Sequence, residues 1–539
     1  MRLGDASSSA CQPKNFYCED LAGEFGLLIA VQEDKAMQSN NISKSAAIRS
    51  RLNHPIIDSD GHQFEAGPVF SDYLCAEGGS KAVEAFAKVT FEGILGTGWG
   101  TLSPQERHER RSMRPTWWAS PARNTRDLAT ALFPKLFHER MDEMGLDLSV
   151  VYPTMGLVIV QIADEEVRRA AVRALNKMKS EMFAGYTDRL LPVATITMHT
   201  SREAIEELEF AVRKLGMRAV MMASYVRRPV KSAVQISPEA GRYTYWLDTY
   251  GLDSEYDYDP VWAKCVELKV SPTFHSVGYG WGSRATPSNY IHNHLGNFAA
   301  SADAVCRGLF MGGVPQRFPQ LTFAFMEGGV AWAHTLHCDL ISHWKKRNWE
   351  AVQHYNPACI DQNAFSDLCH RYGDRLLENR AAEVLTVYQR TMSRGEDPAL
   401  LDEWAPSGIA SPEDISRIFT QQFYFGCEGD DPLNALAFNT KGSPSGSRLP
   451  ALYGSDLGHW DVPNMIEAAE EAHELVEEGL ITEADFRDLV FTNPARFWTS
   501  TNPDFFKGTI VEDAVQKALR ASRQRHSGIG RLHSRETTP

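Results

Sequence analysis

The chain lacks the patterns that most directly declare a protein's class. Its nine cysteines are odd in number and none forms a C-x-x-C pair. A secreted disulfide framework or a structural zinc knot therefore finds no support, and buried reduced thiols are expected. A basic excess is also missing. The formal net charge is −14, so the field of the whole protein does not favour nucleic acid or an anionic membrane. The apolar stretch Phe25 to Val31 is too short to span a bilayer, has no basic region before it, and is followed by acidic residues. Gly278-Tyr-Gly280-Trp-Gly282 has the wrong glycine spacing for a dinucleotide fingerprint. These absences leave a soluble, cytoplasmic protein that acts on a small molecule, with no nucleic-acid or membrane partner.

What is present is a repeated alternation. Eight short β-type runs occur in order, at Ile56–His62, Leu148–Thr154, Leu190–Ile196, Arg218–Ala223, Pro272–Val277, Leu321–Glu327, Gln422–Cys427 and Leu452–Asp456. Several are nearly continuous apolar stretches, the signature of parallel strands buried on both faces. Amphipathic helical patterns lie between them, as at Glu165–Asp188 and Ala300–Phe318. Alternation repeated eight times predicts an α/β fold, a (β/α)₈ TIM barrel over 51–505. Three long βα insertions interrupt it, near 65–140, 226–259 and 331–417. Their aromatic residues, among them Trp99, Trp117, Trp118, Tyr250 and Tyr258, suit a lid, a substrate pocket or an oligomer interface equally. Residues 1–50 read as an irregular extension, and 506–539 as a basic, partly disordered tail.

Polar chemistry gathers at the carboxyl ends of the runs, where such barrels keep their active sites. The first run reads Asp58-Ser-Asp60-Gly-His62. Residues two apart on a strand share a face, which would aim all three side chains into the barrel. Two close carboxylates without a counter-charge repel, a reason to expect a cation. A turn or helix cap made by Asp58 and Asp60 explains the motif as well. His275 ends the fifth run and Asp456 the eighth. Singly, these read as a hydrogen-bonded core histidine and an Asx-turn. Jointly, Asp60, His62, His275 and Asp456 fall on strands one, five and eight, where one ion meets all four. A carboxylate–imidazole set suits zinc, manganese or iron. One ion per chain is expected, with two as the alternative. Glu327 ends the sixth run as a general base, a further ligand or a helix cap. Glu65, Glu428, His294 and His459 lie nearby as groups that orient a ligand, clamp substrate or hold a loop.

With these residues in view, the chain resembles the amidohydrolase superfamily, in the branch related to aminocarboxymuconate-semialdehyde decarboxylase. Asp58, Asp60 and His62 match that branch's opening pattern, with aspartate in place of the first histidine, and His275 and Asp456 match its later ligands. Tyr152-Pro-Thr-Met-Gly-Leu157 and Asn493-Pro-Ala-Arg496-Phe are similar to it as well. Two departures stand out. The fourth run ends Met221-Met-Ala-Ser224, without the lysine that bridges two metals in binuclear members. The sixth carries Glu327 where a catalytic histidine is usual. The resemblance implies a metal-dependent hydrolase that activates water on a divalent ion to cleave a C–N or ester-type bond. In it Asp456 shuttles the proton, and Glu327 or His294 is the second acid–base group. Non-oxidative decarboxylation of an aromatic or unsaturated acid is the alternative. A carboxylate-bridged di-iron oxygenase and a metal-free binding protein are more distant ones. A homodimer is the prior for assembly.

Overall fold

In the computed structural model the described residues are 42–90, 97–116, 123–277, 281–393, 396–459 and 462–521. Trp117, Trp118, residues 278–280 of the glycine-rich loop, Cys11, Cys18 and the stretch Phe25 to Val31 lie outside them. So do most of the expected extension and the far half of the expected tail.

The strands are β1 (Ile57–Gln63), β2 (Leu148–Pro153), β3 (Leu190–Ile196), β4 (Ala219–Ala223), β5 (Val226–Pro229), β6 (Tyr245–Asp248), β7 (Pro272–His275), β8 (Phe323–Phe325), β9 (Phe423–Glu428) and β10 (Ala451–Gly454). Eight of them form one sheet in the order β1-β2-β3-β4-β7-β8-β9-β10, and the ladders between successive neighbours are parallel. Backbone hydrogen bonds from His62 N to Leu457 O (2.7 Å) and from Asp456 N to Asp60 O (2.9 Å) tie the first strand to the end of the last. The (β/α)₈ barrel expected from the sequence is thus the architecture found.

The continuous apolar character of the runs follows from this geometry. β1, β2, β3, β4, β7, β8 and β10 are buried along their whole length. Side chains fill the barrel on one face and helices cover the other, so alternation has nothing to encode. Phenylalanines form part of this core in register. Phe274 pairs with Phe325 across β7 and β8, and Phe325 with Phe425 across β8 and β9, with ring centroids 5.8 and 6.1 Å apart. Such cross-strand aromatic pairs add to the burial energy and hold neighbouring strands in register.

Six helices bear on the site or on the outer surface. They are α1 (Gly67–Val89, broken at Gly79, where φ is +72°), α2 (Glu165–Phe183), α3 (Ala331–Arg347), α4 (Gln362–Tyr372), α5 (Asp374–Leu377) and α6 (Ala381–Ser393). α2 is pinned to β3 by Asn176, whose amide donates to Thr195 O (2.9 Å) and accepts from Thr195 N (2.8 Å).

The insertions resolve differently. Residues 226–259 contain an antiparallel hairpin, β5 with β6, rather than an open loop. Tyr250 and Tyr258 from this segment are buried, and Tyr250 stacks toward Phe274 at 6.4 Å, so they serve the core and not a lid. The barrel body also extends past both expected boundaries. The helix Lys44–Arg51 docks through Ile48 and through Ser45, whose hydroxyl accepts from Glu470 N. Beyond 505, Phe506, Val511 and Val515 are buried in the main core. Those apolar residues are spaced among polar ones, which is why the segment reads as a tail. No described helix is long and apolar enough to cross a membrane.

Candidate metal centre

β1 is the element on which the site depends, and it is not a regular strand. Its register on β2 shifts between Asp58 and Gly61, so one extra residue is accommodated there. Such a bulge re-aims the side chains beyond it. Gly61 is required at this point, because a Cβ would sit 2.4 Å from Ser149 Oγ and 2.7 Å from Asp58 Oδ2. The simple alternation that aims Asp58, Asp60 and His62 at one point is broken as a result. Asp58 accepts hydrogen bonds from Ser149 Oγ (2.5 Å), Ser455 Oγ (2.8 Å), Ser455 N (2.9 Å) and Asp60 N (3.1 Å). It braces β1 against β2 and the end of β10. Burial pushes its carboxyl above the usual range, and these donors pull it back.

Asp60 and His62 instead meet the residues from the far strands. His62 Nε2 lies 3.4 Å from Asp60 Oδ1 and 3.5 Å from Asp456 Oδ1. His275 Nε2 lies 4.0 Å from Asp60 Oδ1 and 2.8 Å from Glu327 Oε2. Glu327 and Asp456 both adopt left-handed backbone, with φ of +55° and +49°. That conformation is costly for residues with a Cβ and clusters at functional sites. Here it occurs where β8 and β10 end.

His459 comes closer to the cluster than its chain position suggests. Its ring stacks on that of His62 with centroids 3.7 Å apart. Its Nδ1 lies 2.6 Å from Asp456 Oδ1, and its Nε2 is 3.1 Å from Thr154 Oγ1. Gly458 makes the approach possible. It has φ +102°, and a Cβ there would stand 2.4 Å from the carbonyl oxygen of His62.

Whether these residues suit a metal can be tested on their unsatisfied atoms. Asp60 Oδ1 and both ring nitrogens of His62 are buried and have no hydrogen-bond partner. Buried polar atoms are almost always paired, so such a group is poorly arranged as a plain core. Ligand atoms of Asp60, His62 and His275 lie within 4.8 Å of one another, as do those of His62, Glu327, Asp456 and His459. Burial holds the imidazoles of His62 and His275 below their ordinary value of 6.5, and that of His459 down at about 3. Neutral imidazoles are the form that binds metal. Burial also raises Asp60 well above the usual carboxylate range, and the charges of Glu327, Asp58 and Glu428 add to that push against the opposing His275. A cation would relieve this crowding. The cluster fits a divalent metal ion.

One residue that the sequence patterns did not single out lies behind the site. Lys179 of α2 is fully buried, and its Nζ has no hydrogen-bond partner. Its charge acts on Glu65, which is also buried. Burial lowers Lys179 to about 8 and raises Glu65 to about 6, with each charge opposing the shift of the other. Glu65 Oε2 in turn accepts from Met155 N at 2.8 Å, next to Thr154. The pair therefore supports the turn from which Thr154 reaches His459. The signal was present in the sequence, since Lys179 continues the buried stripe Val172, Leu175, Asn176 and Phe183 of its helix.

The other candidates stay at the margin. His294 contacts Phe298 at 5.2 Å, and Phe298 meets the His275 ring edge-on at 5.8 Å, which puts His294 one ring away from the cluster. Glu428 ends β9 half-buried, felt by Asp60 as a charge.

Comparison with known proteins agrees with the resemblance drawn from the motifs. Residues 142–377 match the family model described as Amidohydrolase. That span takes in His275 and Glu327 and excludes the motifs of β1 and β10. Solved structures similar to this chain include a 2,6-dihydroxybenzoate decarboxylase from Rhizobium, at 14% identity over 83% of this chain and 99% of that one, with a TM-score of 0.42. A dihydroxybenzoic acid decarboxylase from Polaromonas, solved with manganese and 2-nitroresorcinol, shares 15% identity over 84% of this chain and 99% of its own, with a TM-score of 0.42. An amidohydrolase from Mycobacterium avium shares 17% over 83% and 98%, with a TM-score of 0.46. The amidohydrolase resemblance is borne out.

Proposed function

We propose that this chain is a divalent-metal-dependent decarboxylase that removes carbon dioxide, without oxidation, from an aromatic or unsaturated acid. The observation that carries this reading is the buried convergence of three carboxylates, Asp60, Glu327 and Asp456, with His62 and His275 at the carboxyl ends of β1, β7, β8 and β10. Asp60, His62, His275 and Asp456 would hold the ion, and manganese or zinc suits such a set. When bound, the ion supplies Lewis acidity toward a substrate carboxylate and an adjacent hydroxyl. Two overlapping ligand groups share His62. One imidazole common to both argues for one ion rather than an iron pair. The Phe298 and His294 rings beside His275 suit a planar substrate.

The carbon that loses carbon dioxide must gain one proton. Carboxyl groups crowded in a buried space cannot all ionise, so one of them keeps its proton. We assign that role to Glu327, whose Oε2 lies 2.8 Å from His275 Nε2 at the edge of the ligand set. Asp456 is held by His459, which Thr154 fixes from the other side.

Hydrolysis is the second reading, and the Asp456–His459 contact favours it. A carboxylate backed by an imidazole at 2.6 Å can accept a proton from water and return it to a leaving group.

The test is anaerobic incubation of metal-supplemented protein with hydroxybenzoates, starting from 2,6-dihydroxybenzoate, and with unsaturated acids. Parallel reactions use esters and amides. Carbon dioxide release, with one solvent deuterium at the vacated carbon, is the expected result. Ester or amide cleavage with no carbon dioxide from any acid would overturn decarboxylation in favour of hydrolysis.

A further inference from the structure

The insertion after β8 encloses a second concavity, distinct from the metal centre. It is a cavity of about 300 Å³ between the end of α3 and the segment 402–410. Trp344, at that end of α3, lies about 20 Å along the helix axis from Ala331, the end nearest Glu327 in the chain. Three of the chain's twelve tryptophans, Trp344, Trp349 and Trp404, line the cavity. Both titratable residues of its wall are acids, Glu350 and Asp402, and Asn348 lies between them and the helix end. The neighbouring Lys345, Lys346 and Arg347 are exposed and do not line it.

Local hydrogen bonds set this wall in place. Asp402 Oδ1 accepts from Trp404 N (3.0 Å). Ser407 Oγ donates to Trp404 O (2.6 Å) and accepts from Ile409 N (3.2 Å). Asn348 Oδ1 accepts from Ala351 N (2.9 Å), capping the turn that carries Trp349 and Glu350. Trp404 is buried and Trp344 half-buried, whereas Trp349 is 45% exposed.

We infer that this cavity binds an organic cation, a methylated ammonium group seated on the indoles with Glu350 and Asp402 supplying the opposite charge. Indole is the strongest aromatic partner for a cation. Among the described residues no arginine or lysine stands over these three rings, whereas Trp99 carries Arg107 and Arg114 at 3.5 and 4.8 Å from its centroid. Among the same residues neither Glu350 nor Asp402 has an ion-pair partner. The wall thus presents open π-faces and charge of one sign together. A plain ammonium is strongly hydrated, and a guanidinium is best met by two free carboxylate oxygens. Asp402 already spends one oxygen on Trp404 N. A methylated ammonium needs only a π-face and a charge, which are what this wall offers. Such a group arrives on a free small molecule or on a methylated lysine side chain.

The experiment is ligand-observed NMR titration of the full chain with choline, with its uncharged isostere 3,3-dimethylbutan-1-ol, with methylguanidine and with a trimethyllysine peptide. Choline is expected to bind at least about 10-fold more tightly than the isostere and than methylguanidine. Trp349→Ala and Glu350→Gln are each expected to weaken choline binding about 3–10-fold. Circular dichroism and the unfolding midpoint should match wild type, most closely in Glu350→Gln, whose side chain is exposed. Tighter binding of the peptide than of choline would support a protein-borne methylammonium as the source, and the reverse order a free small molecule. No saturable binding of either methylated probe up to about 10 mM would overturn the inference. So would an isostere or methylguanidine that binds as well as choline, or choline affinity unchanged in both variants.

Discussion

Two residues behind and within the site have separable roles. Glu327 is assigned the proton that decarboxylation consumes. Glu327→Gln keeps size and a polar head but cannot supply that proton. Turnover is expected to fall about 10²–10⁴-fold, with metal content measured by elemental analysis close to wild type. A variant that retains full activity would remove Glu327 from the mechanism. Lys179 acts differently, through its charge on buried Glu65 and on His62. Lys179→Met leaves the Glu65 carboxylate buried without its opposite charge, and uncompensated buried charges cost about 3–5 kcal/mol. Chemical denaturation should show that loss. Lys179→Met with Glu65→Gln should recover part of it, because neither charge of this pair is then left buried alone.

Strands rather than loops set the geometry of the site. The bulge in β1 separates the bracing carboxylate, Asp58, from the ligand pair above it. The ends of β8 and β10 place Glu327 and Asp456 by leaving the β region altogether. Between them the phenylalanine register of β7, β8 and β9 holds these ends at a fixed spacing. Phe325 is fully buried and touches Phe274, Trp332, Phe423 and Phe425. Phe325→Ala is expected to cost about 3–5 kcal/mol in unfolding experiments. The effect should reach activity too, since Glu327 lies two residues further on. A loss below about 1 kcal/mol would show that the barrel collapses around the gap more readily than close packing allows.

The molecule as a whole should be acid-labile. Burial lowers His337 to about 4 and His199 to about 2, from an ordinary 6.5. Below pH 6.5 the unfolded chain binds protons at these positions that the folded chain refuses. The unfolded state then carries more protons, and stability falls with pH, for His337 through the window from about 6.5 to about 4. Thermal unfolding between pH 7 and pH 4.5 should show a steadily falling midpoint. His337→Phe keeps the stack on Phe419 and should make that fall shallower; an unchanged slope would clear His337 of a role. Metal acts on the same balance. Adding manganese or zinc to chelator-treated protein should raise the midpoint by several degrees, because an ion that binds only the folded site stabilises it by mass action.

All eight barrel strands were legible in the sequence, because parallel strands buried on both faces must be apolar throughout and that pattern is local. Asp60, His62, His275, Glu327 and Asp456 were legible as candidates for a related reason: each lies at or near the carboxyl end of a β-type run, and barrels expose that end. What only the tertiary structure decided depends on contacts between distant segments. The bulge that splits Asp58 from Asp60 lies where Ser149 and Ser455, from two other strands' segments, both donate to the Asp58 carboxylate. The stacking of His459 on His62 needs strands one and eight brought side by side. The burial of Lys179 against Glu65 joins a helix to a loop more than a hundred residues away in the chain. The same holds for Tyr250 and Tyr258 of the second insertion, which sequence alone left between lid, pocket and interface, and which the barrel wall draws into the core. Periodicity reports which face of an element is dry; it carries no information on which distant element keeps it dry.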